Sequence, residues 1–93
     1  MKPLDLEFSS QFRRDLKRAK KRRYDLTLLG DVVHALRQQV PLAEKYRDHA
    51  LTGDYRGYRE CHILPDWLLV YRVEQEKLIL VLSRTGTHSD LFQ

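Results

Sequence analysis

Cysteine is nearly missing from this chain of 93 residues: Cys61 stands alone. No internal disulfide, redox CxxC pair or zinc ribbon can therefore be built, and a lone thiol of this kind reads as a small buried apolar group. Long apolar runs are missing as well. The longest are "WLLVY" and "LILVL", far short of the roughly 20 residues that a membrane helix requires. The opening "MKPLDLEF" lacks the apolar stretch of a signal peptide. The expectation is a cytoplasmic protein with no membrane partner. Walker loops, dinucleotide fingerprints and HExxH spacing are also absent, which removes nucleotide-driven and zinc-protease chemistry. No internal repeat or low-complexity segment is visible. A chain this short hides only about 60–70% of its unfolded surface and has no material for a second core, so residues 1–93 are expected to form one domain.

The apolar fraction of 42% and charged fraction of 32% belong to a foldable globular chain. Its net charge of +4 is unevenly spread. Residues 13–23, "RRDLKRAKKRR", carry eight basic groups and one acid, whereas from Tyr24 onward ten acids face eight bases. Positive charge gathered in one early element suits a polyanionic partner.

"PLDLEFS" alternates Leu4, Leu6 and Phe8 with acids, the period of a half-buried strand. Ser9 or Ser10 can cap a helix in which Phe12, Leu16 and Ala19 form one apolar stripe beneath the cations. Asp25 can cap a second helix, with Leu29, Val32, Val33 and Leu36 at helical spacing until Val40 and Pro41 end it. His34 lies there as an ordinary surface or boundary histidine. Residues 41–57 show no clean period and read as a long ordered connection. "YRECHIL", "WLLVYRV" and "KLILVLSR" then follow, joined by the short links "PD" and "EQE". The order predicts an α+β fold: an N-terminal strand, two helices on one face, then a three-stranded antiparallel meander whose last two strands are central.

The three remaining histidines fall near the edges of that sheet: His49 in the long connection, His62 toward a strand end and His88 in the terminal "RTGTHSDLF". His62 and Asp66 flank one turn, and the glycine of "RTGTH" allows the chain to bend back and bring His88 to them. Arg59 and Arg84 lie in or beside strands expected to put them on the same side. Histidines, a carboxylate and arginines without a metal motif suit cleavage of RNA by its own 2′-hydroxyl. Imidazole moves protons near working pH, guanidinium grips phosphate oxygens, and Trp67, Tyr58, Tyr71 and Phe92 offer rings on which unpaired bases stack. Composition alone leaves the alternatives of scattered surface histidines or metal ligands open.

From Tyr46 to Phe92 the wording is more specific. "YRDHALTGDYRGYRECHILPDWLLVYRV", followed by "LSRTGTHSDLF", resembles the YafQ branch of the RelE/ParE superfamily of bacterial toxins, and the likeness extends to the opening "LEFSSQFRRDLKRAKKR". The resemblance implies a RelE-like fold and a metal-independent, cofactor-free endoribonuclease that cuts messenger RNA in the ribosomal A site. It implies a DinJ-like antitoxin as inhibitor and co-repressor, with operator DNA bound only through that antitoxin. By motif position it makes His49, His62, Asp66 and His88 the catalytic candidates, and Arg59, Trp67, Arg84 and Phe92 the substrate-binding ones. The flanking cations Arg13, Arg14, Lys17, Arg18, Lys20, Lys21, Arg22 and Arg23 become candidates for contact with ribosomal RNA. Two other readings remain: a gyrase-directed toxin of the ParE type, which has no need of the histidine and aspartate set, and a non-catalytic RNA-binding module resting on the basic helix.

Overall fold

The computed structural model describes residues 2–92. They build one five-stranded sheet: β1 (Asp5–Phe8), β2 (His49–Ala50), β3 (Arg59–Leu64), β4 (Trp67–Glu74) and β5 (Ile79–Gly86), in the order β1-β5-β4-β3-β2. The helices are α1 (Ser10–Lys21), α2 (Leu26–Arg37) and a short terminal α3 (His88–Phe92). The expected α+β class and the meander β3-β4-β5 hold, with β4 central. Two pairings enlarge the expected sheet. β1 runs parallel to β5, and the long connection contributes the two-residue β2 antiparallel to β3.

Both helix caps follow the expected chemistry. Ser9 Oγ accepts from the Phe12 N–H at 2.9 Å and donates to the Ser83 carbonyl at 2.7 Å, so the cap also fastens α1 to β5. Asp25 Oδ1 accepts from the Thr27 N–H at 3.0 Å. α2 stops at Arg37, three residues before the expected end at Val40; Gln39, at φ 57°, turns the chain there.

The main core lies between α1, α2 and one sheet face, with Phe12, Val32, Leu36, Ile63, Leu69, Leu80 and Leu82 buried together. Each fully buried Leu or Phe of this kind contributes about 1.5–3 kcal/mol. Leu6, on the outer strand, is left 40% exposed, so the expected burial of the Leu4, Leu6, Phe8 set is incomplete. Cys61 is fully buried in this core, and burial pushes its thiol up to about 12, as the reading of an inert apolar group requires. The opposite face carries a smaller apolar floor of Leu68, Val70 and Leu91, flanked by Leu51 and Tyr58.

One irregularity decides which side chains reach that second face. β5 pairs Leu82 with Tyr71 but Arg84 with Val70, so Ser83 is an extra residue bulged out of the ladder. Simple alternation would keep Arg84 on the helix-covered face with Leu80 and Leu82. The bulge moves it to the face of Val70 instead, because residues directly paired across strands share a face.

Candidate functional site

The second face carries a row of paired positions across four strands: His49 on β2, Glu60 on β3, Val70 on β4 and Arg84 on β5. With strands about 4.8 Å apart, the row spans roughly 15 Å. One step further along, His62 pairs with Leu68, and Leu68 with Gly86.

Glu60 is the buried acid of this row. Its side chain is 5% exposed, and its Oε1 lies 3.6 Å from Nε2 of both His49 and His62. The other ring nitrogens are also placed, His49 Nδ1 at 2.6 Å from the Arg47 carbonyl and His62 Nδ1 at 3.2 Å from the Pro65 carbonyl. A carboxylate between the two imidazoles, with a backbone carbonyl at each far nitrogen, fixes the orientation of both rings. Among the described residues no group of three or more His, Cys, Asp or Glu is arranged to hold a metal ion.

The terminal arm supplies the rest. Gly86, at φ 154°, bends the strand end. Thr87 and Asp90 then cap α3 reciprocally: the Thr87 N–H donates to Asp90 Oδ2 at 2.8 Å and the Asp90 N–H to Thr87 Oγ1 at 3.1 Å. This holds His88 beside the β3–β4 turn, where its backbone N–H lies 3.4 Å from Asp66 Oδ1. The His88 ring is 5.4 Å from that of Phe92, which in turn meets Tyr55 at 5.5 Å in an edge-on contact.

Asp90 is further tied to α1. Arg22 donates to it through Nη1 at 2.7 Å and Nη2 at 3.1 Å, and Arg18 Nη2 lies 3.7 Å away. The Arg22 guanidinium, with the Thr87 bonds, holds the Asp90 carboxyl well below the usual carboxylate range. A folded-state value below the unfolded one adds stability that is present above the ordinary carboxylate pKa near 4 and is lost as pH falls. We expect thermal melting to separate wild type from Asp90→Asn at pH 6 and the two curves to draw together toward pH 2. A constant gap would show that Asp90 acts only through shape.

Arg84 is bound by an acid that the sequence reading left unused. Asp15, whose side chain is fully buried, accepts from Arg84 Nε at 2.8 Å, Arg84 Nη2 at 3.3 Å, the Thr85 N–H at 3.1 Å and Arg18 Nη2 at 3.1 Å. β1 ends at Phe8, so past Leu82 the outer edge of β5 is open to α1, and the guanidinium turns over it to Asp15.

This chain matches the family described as bacterial toxin of type II toxin–antitoxin system, YafQ, over residues 4–93. It belongs to that family. The mRNA interferase toxin YafQ of Escherichia coli K12 is 40% identical over 89 residues, covering 95% of each chain. Among solved structures, the DinJ–YafQ toxin–antitoxin complex of Escherichia coli matches with TM-score 0.87 at 39% identity, covering 98% of this chain and 99% of the other. A metal-bound toxin from Helicobacter pylori matches with TM-score 0.91 at 47% identity, covering 96% and 99%.

Of the expected site residues the structure gathers His49, His62, Asp66, His88, Arg84 and Phe92 around the second face and its turn, and departs on Arg59, on Trp67 and on Tyr71, the last expected only as a stacking ring. Arg59 pairs with Tyr71 on the helix-covered face and bonds Asp48 at 3.3 Å, so it does not join Arg84. The Ser83 bulge is the cause. Trp67 is 2% exposed, packed against Tyr24 in a tilted contact at 4.8 Å, with Nε1 donating to Thr85 Oγ1 at 2.8 Å. Tyr71 is equally buried, its hydroxyl donating to Asp48 Oδ1 at 2.6 Å. Neither ring offers a face to a base; Tyr55, Tyr58 and Phe92 form the partly open aromatic cluster instead.

The basic helix also divides. Arg18 and Arg22 are engaged by Asp15 and Asp90, and Arg14 by Gln11 at 2.8 Å. Arg13, Lys17, Lys20, Lys21 and Arg23 are exposed and make no ion pair among the described residues. Arg13 lies over the Phe8 ring at 5.3 Å.

Three acids that hold the candidate site together were missed, each with a signal. Glu60 is two residues from His62, the strand period. Asp15 interrupts a basic run at i+3 from Phe12, on the buried stripe. Asp90 follows Thr87 at the spacing of a capping box.

Gly86 makes the arm sensitive. A Cβ there would meet Asp90 Oδ2 at 2.8 Å, with Arg18 Nη2 and Asp90 Cβ at 3.0 Å. Gly86→Ala is expected to cost about 1–3 kcal/mol through backbone strain and displacement of the Asp90 contacts. A melting temperature lowered by about 4 °C or more for this domain size would show it; an unchanged one would mean that the arm gives way freely.

Proposed function

We propose that this protein is a ribosome-dependent endoribonuclease of a type II toxin–antitoxin pair, cutting messenger RNA in the A site and so arresting translation. The observation that carries the reading is the convergence of His88 and Asp66 at one turn next to the His49–Glu60–His62 set, on the face that also receives Arg84. The mRNA interferase relative supports it.

In the proposed step Asp66 or His49 takes the 2′-hydroxyl proton, and the 2′-oxygen forms a bond to the adjacent phosphorus. His62 and Arg84 hold the charge on the non-bridging oxygens. The bond to the 5′-oxygen breaks as His88 donates a proton to it, leaving a 2′,3′-cyclic phosphate and a 5′-hydroxyl. Glu60 holds the two histidines it bridges in orientation. Phe92, backed by Tyr55, forms the aromatic wall for the nucleotide. The exposed cations of α1 meet ribosomal RNA phosphates, a contact that weakens as salt rises. A DinJ-like antitoxin is the inhibitor, and operator DNA is reached only through it. The acid–base set favours cleavage over a gyrase-binding role, which would need none of it.

Primer-extension mapping of a defined message tests the reading, with the message naked and on translating ribosomes. Cuts confined to ribosome-bound message at fixed codon positions are expected. Folded protein that cuts in neither setting would overturn the proposal.

A further inference from the structure

We propose that Asp15 and Asp90 are positioning residues for cleavage: Asp15 sets Arg84, and Asp90 sets the helix that presents His88, both against α1. The inference rests on the ribonuclease reading above. It concerns residues that do not touch the message and act through those that do.

The two acids and three arginines form one alternating chain, Arg84–Asp15–Arg18–Asp90–Arg22. At one end, Asp15 takes Nε and one Nη2 proton of Arg84, leaving both Nη1 protons and one on Nη2 for phosphate oxygens. A guanidinium held by a buried carboxylate on one edge is planar, oriented and unable to swing through its many rotamers. Asp15 also accepts from the Thr85 N–H, so the backbone under Arg84 and its head group are fixed by the same carboxylate.

At the other end, α3 is only five residues long and too short to hold itself. Asp90 gives it a cap through Thr87 and an external anchor through the bidentate Arg22 contact. His88 is the first residue of that helix and exposed, its ring against Phe92 of the same helix at 5.4 Å; Leu91 seats the helix on the apolar floor, and the Asp90 contacts set the turn that leads into it. Its place beside Asp66 follows from where Asp90 pins the turn. Arg22, though part of the basic run, is thereby assigned to the protein's own terminal arm and not to RNA.

Asp90→Asn keeps a capping oxygen for Thr87 and removes the charge that holds Arg22. Measured on defined ribosome complexes, it is expected to lower the saturating first-order cleavage rate about 10- to 100-fold, the scale of a misplaced reacting group, with the half-saturating toxin concentration within about threefold. Arg22→Gln should do the same, and Arg22→Lys, which keeps a cation for Asp90 and leaves the Thr87 cap intact, should recover part of the rate. An unchanged rate in Asp90→Asn overturns the proposal. So does a loss in Arg22→Gln that appears only as weaker ribosome binding, which would make Arg22 an RNA contact. Wild type and His88→Ala run alongside separate the two levels: if wild type cuts and His88→Ala does not, the parent reading stands and the fate of Asp90→Asn tests positioning alone. Full activity in His88→Ala would bring down His88 as the positioned group and this inference with it.

Discussion

His88→Ala is expected to lower the rate of messenger cleavage on saturating ribosomes by about two to four orders of magnitude, the usual contribution of a placed general acid. The magnitude follows from where the group sits. His88 is exposed at the start of α3, with a backbone contact to Asp66 and its ring beside Phe92. Nothing in the core leans on it, so the substitution should alter unfolding free energy by no more than about 0.5 kcal/mol. A large catalytic loss in a normally folded protein therefore reports chemistry. The loss should be almost entirely in the first-order rate, since a proton delivered to a departing oxygen is needed only as that bond breaks. A variant that cuts at the wild-type rate would remove His88 as the acid and leave the neighbouring histidines to supply it.

Asp15→Ala should act in the opposite sense, through stability first. Removing the carboxylate strands a buried backbone N–H at Thr85, leaves Arg84 without its partner and leaves Arg18 with Asp90 alone. Breaking a buried charge pair by deleting one member costs about 3–5 kcal/mol, much of what holds a small domain together. For a domain of this size each kcal/mol lowers the melting temperature by about 4–8 °C, so a drop beyond about 12 °C is expected, with urea unfolding showing the same loss. A shift below about 1 kcal/mol would mean that water enters and takes over the carboxylate's bonds. Asp15→Asn, which keeps an acceptor for Thr85, should recover part of the difference and separate the backbone bond from the charge.

Much of the architecture was legible because local chemistry and global packing agree. Ser9 and Asp25 cap the helices they precede, and Phe12 and Ala19 form a stripe that the sheet buries. The two pairings that escaped notice are non-local or very short: β1 finds β5 across more than seventy residues, and β2 has only two residues to announce it. Part of the candidate site's placement was legible: His62 and Asp66 flank one tight turn to which the terminal arm brings His88, whereas His49 became a candidate through the family resemblance. It was not legible in its second layer. Glu60, Asp15 and Asp90 each have one near partner, His62, Arg18 and Thr87, but the partners that fix their place in the site, His49, Arg84 and Arg22, lie far away in sequence or on another strand, and charge alone does not say which acid will be buried. Trp67 and Tyr71 misled for a related reason. An aromatic in a strand is as good a core residue as a platform, and both carry a polar atom that found a buried partner.

The extra residue at Ser83 divides β5 into two segments whose alternations are out of phase. Before it, even-numbered positions such as Leu80 and Leu82 serve the core; after it, an even-numbered position serves the opposite surface, and Thr85 takes the inward place. A continuous strand thus carries two independent reading frames, one for folding and one for reactivity. Substitutions in the first half answer to packing, those in the second to the site, and the hand-over costs a single residue. Losing that residue would leave the strand's composition almost intact while turning Arg84 away from the surface where His49, Glu60 and His62 stand.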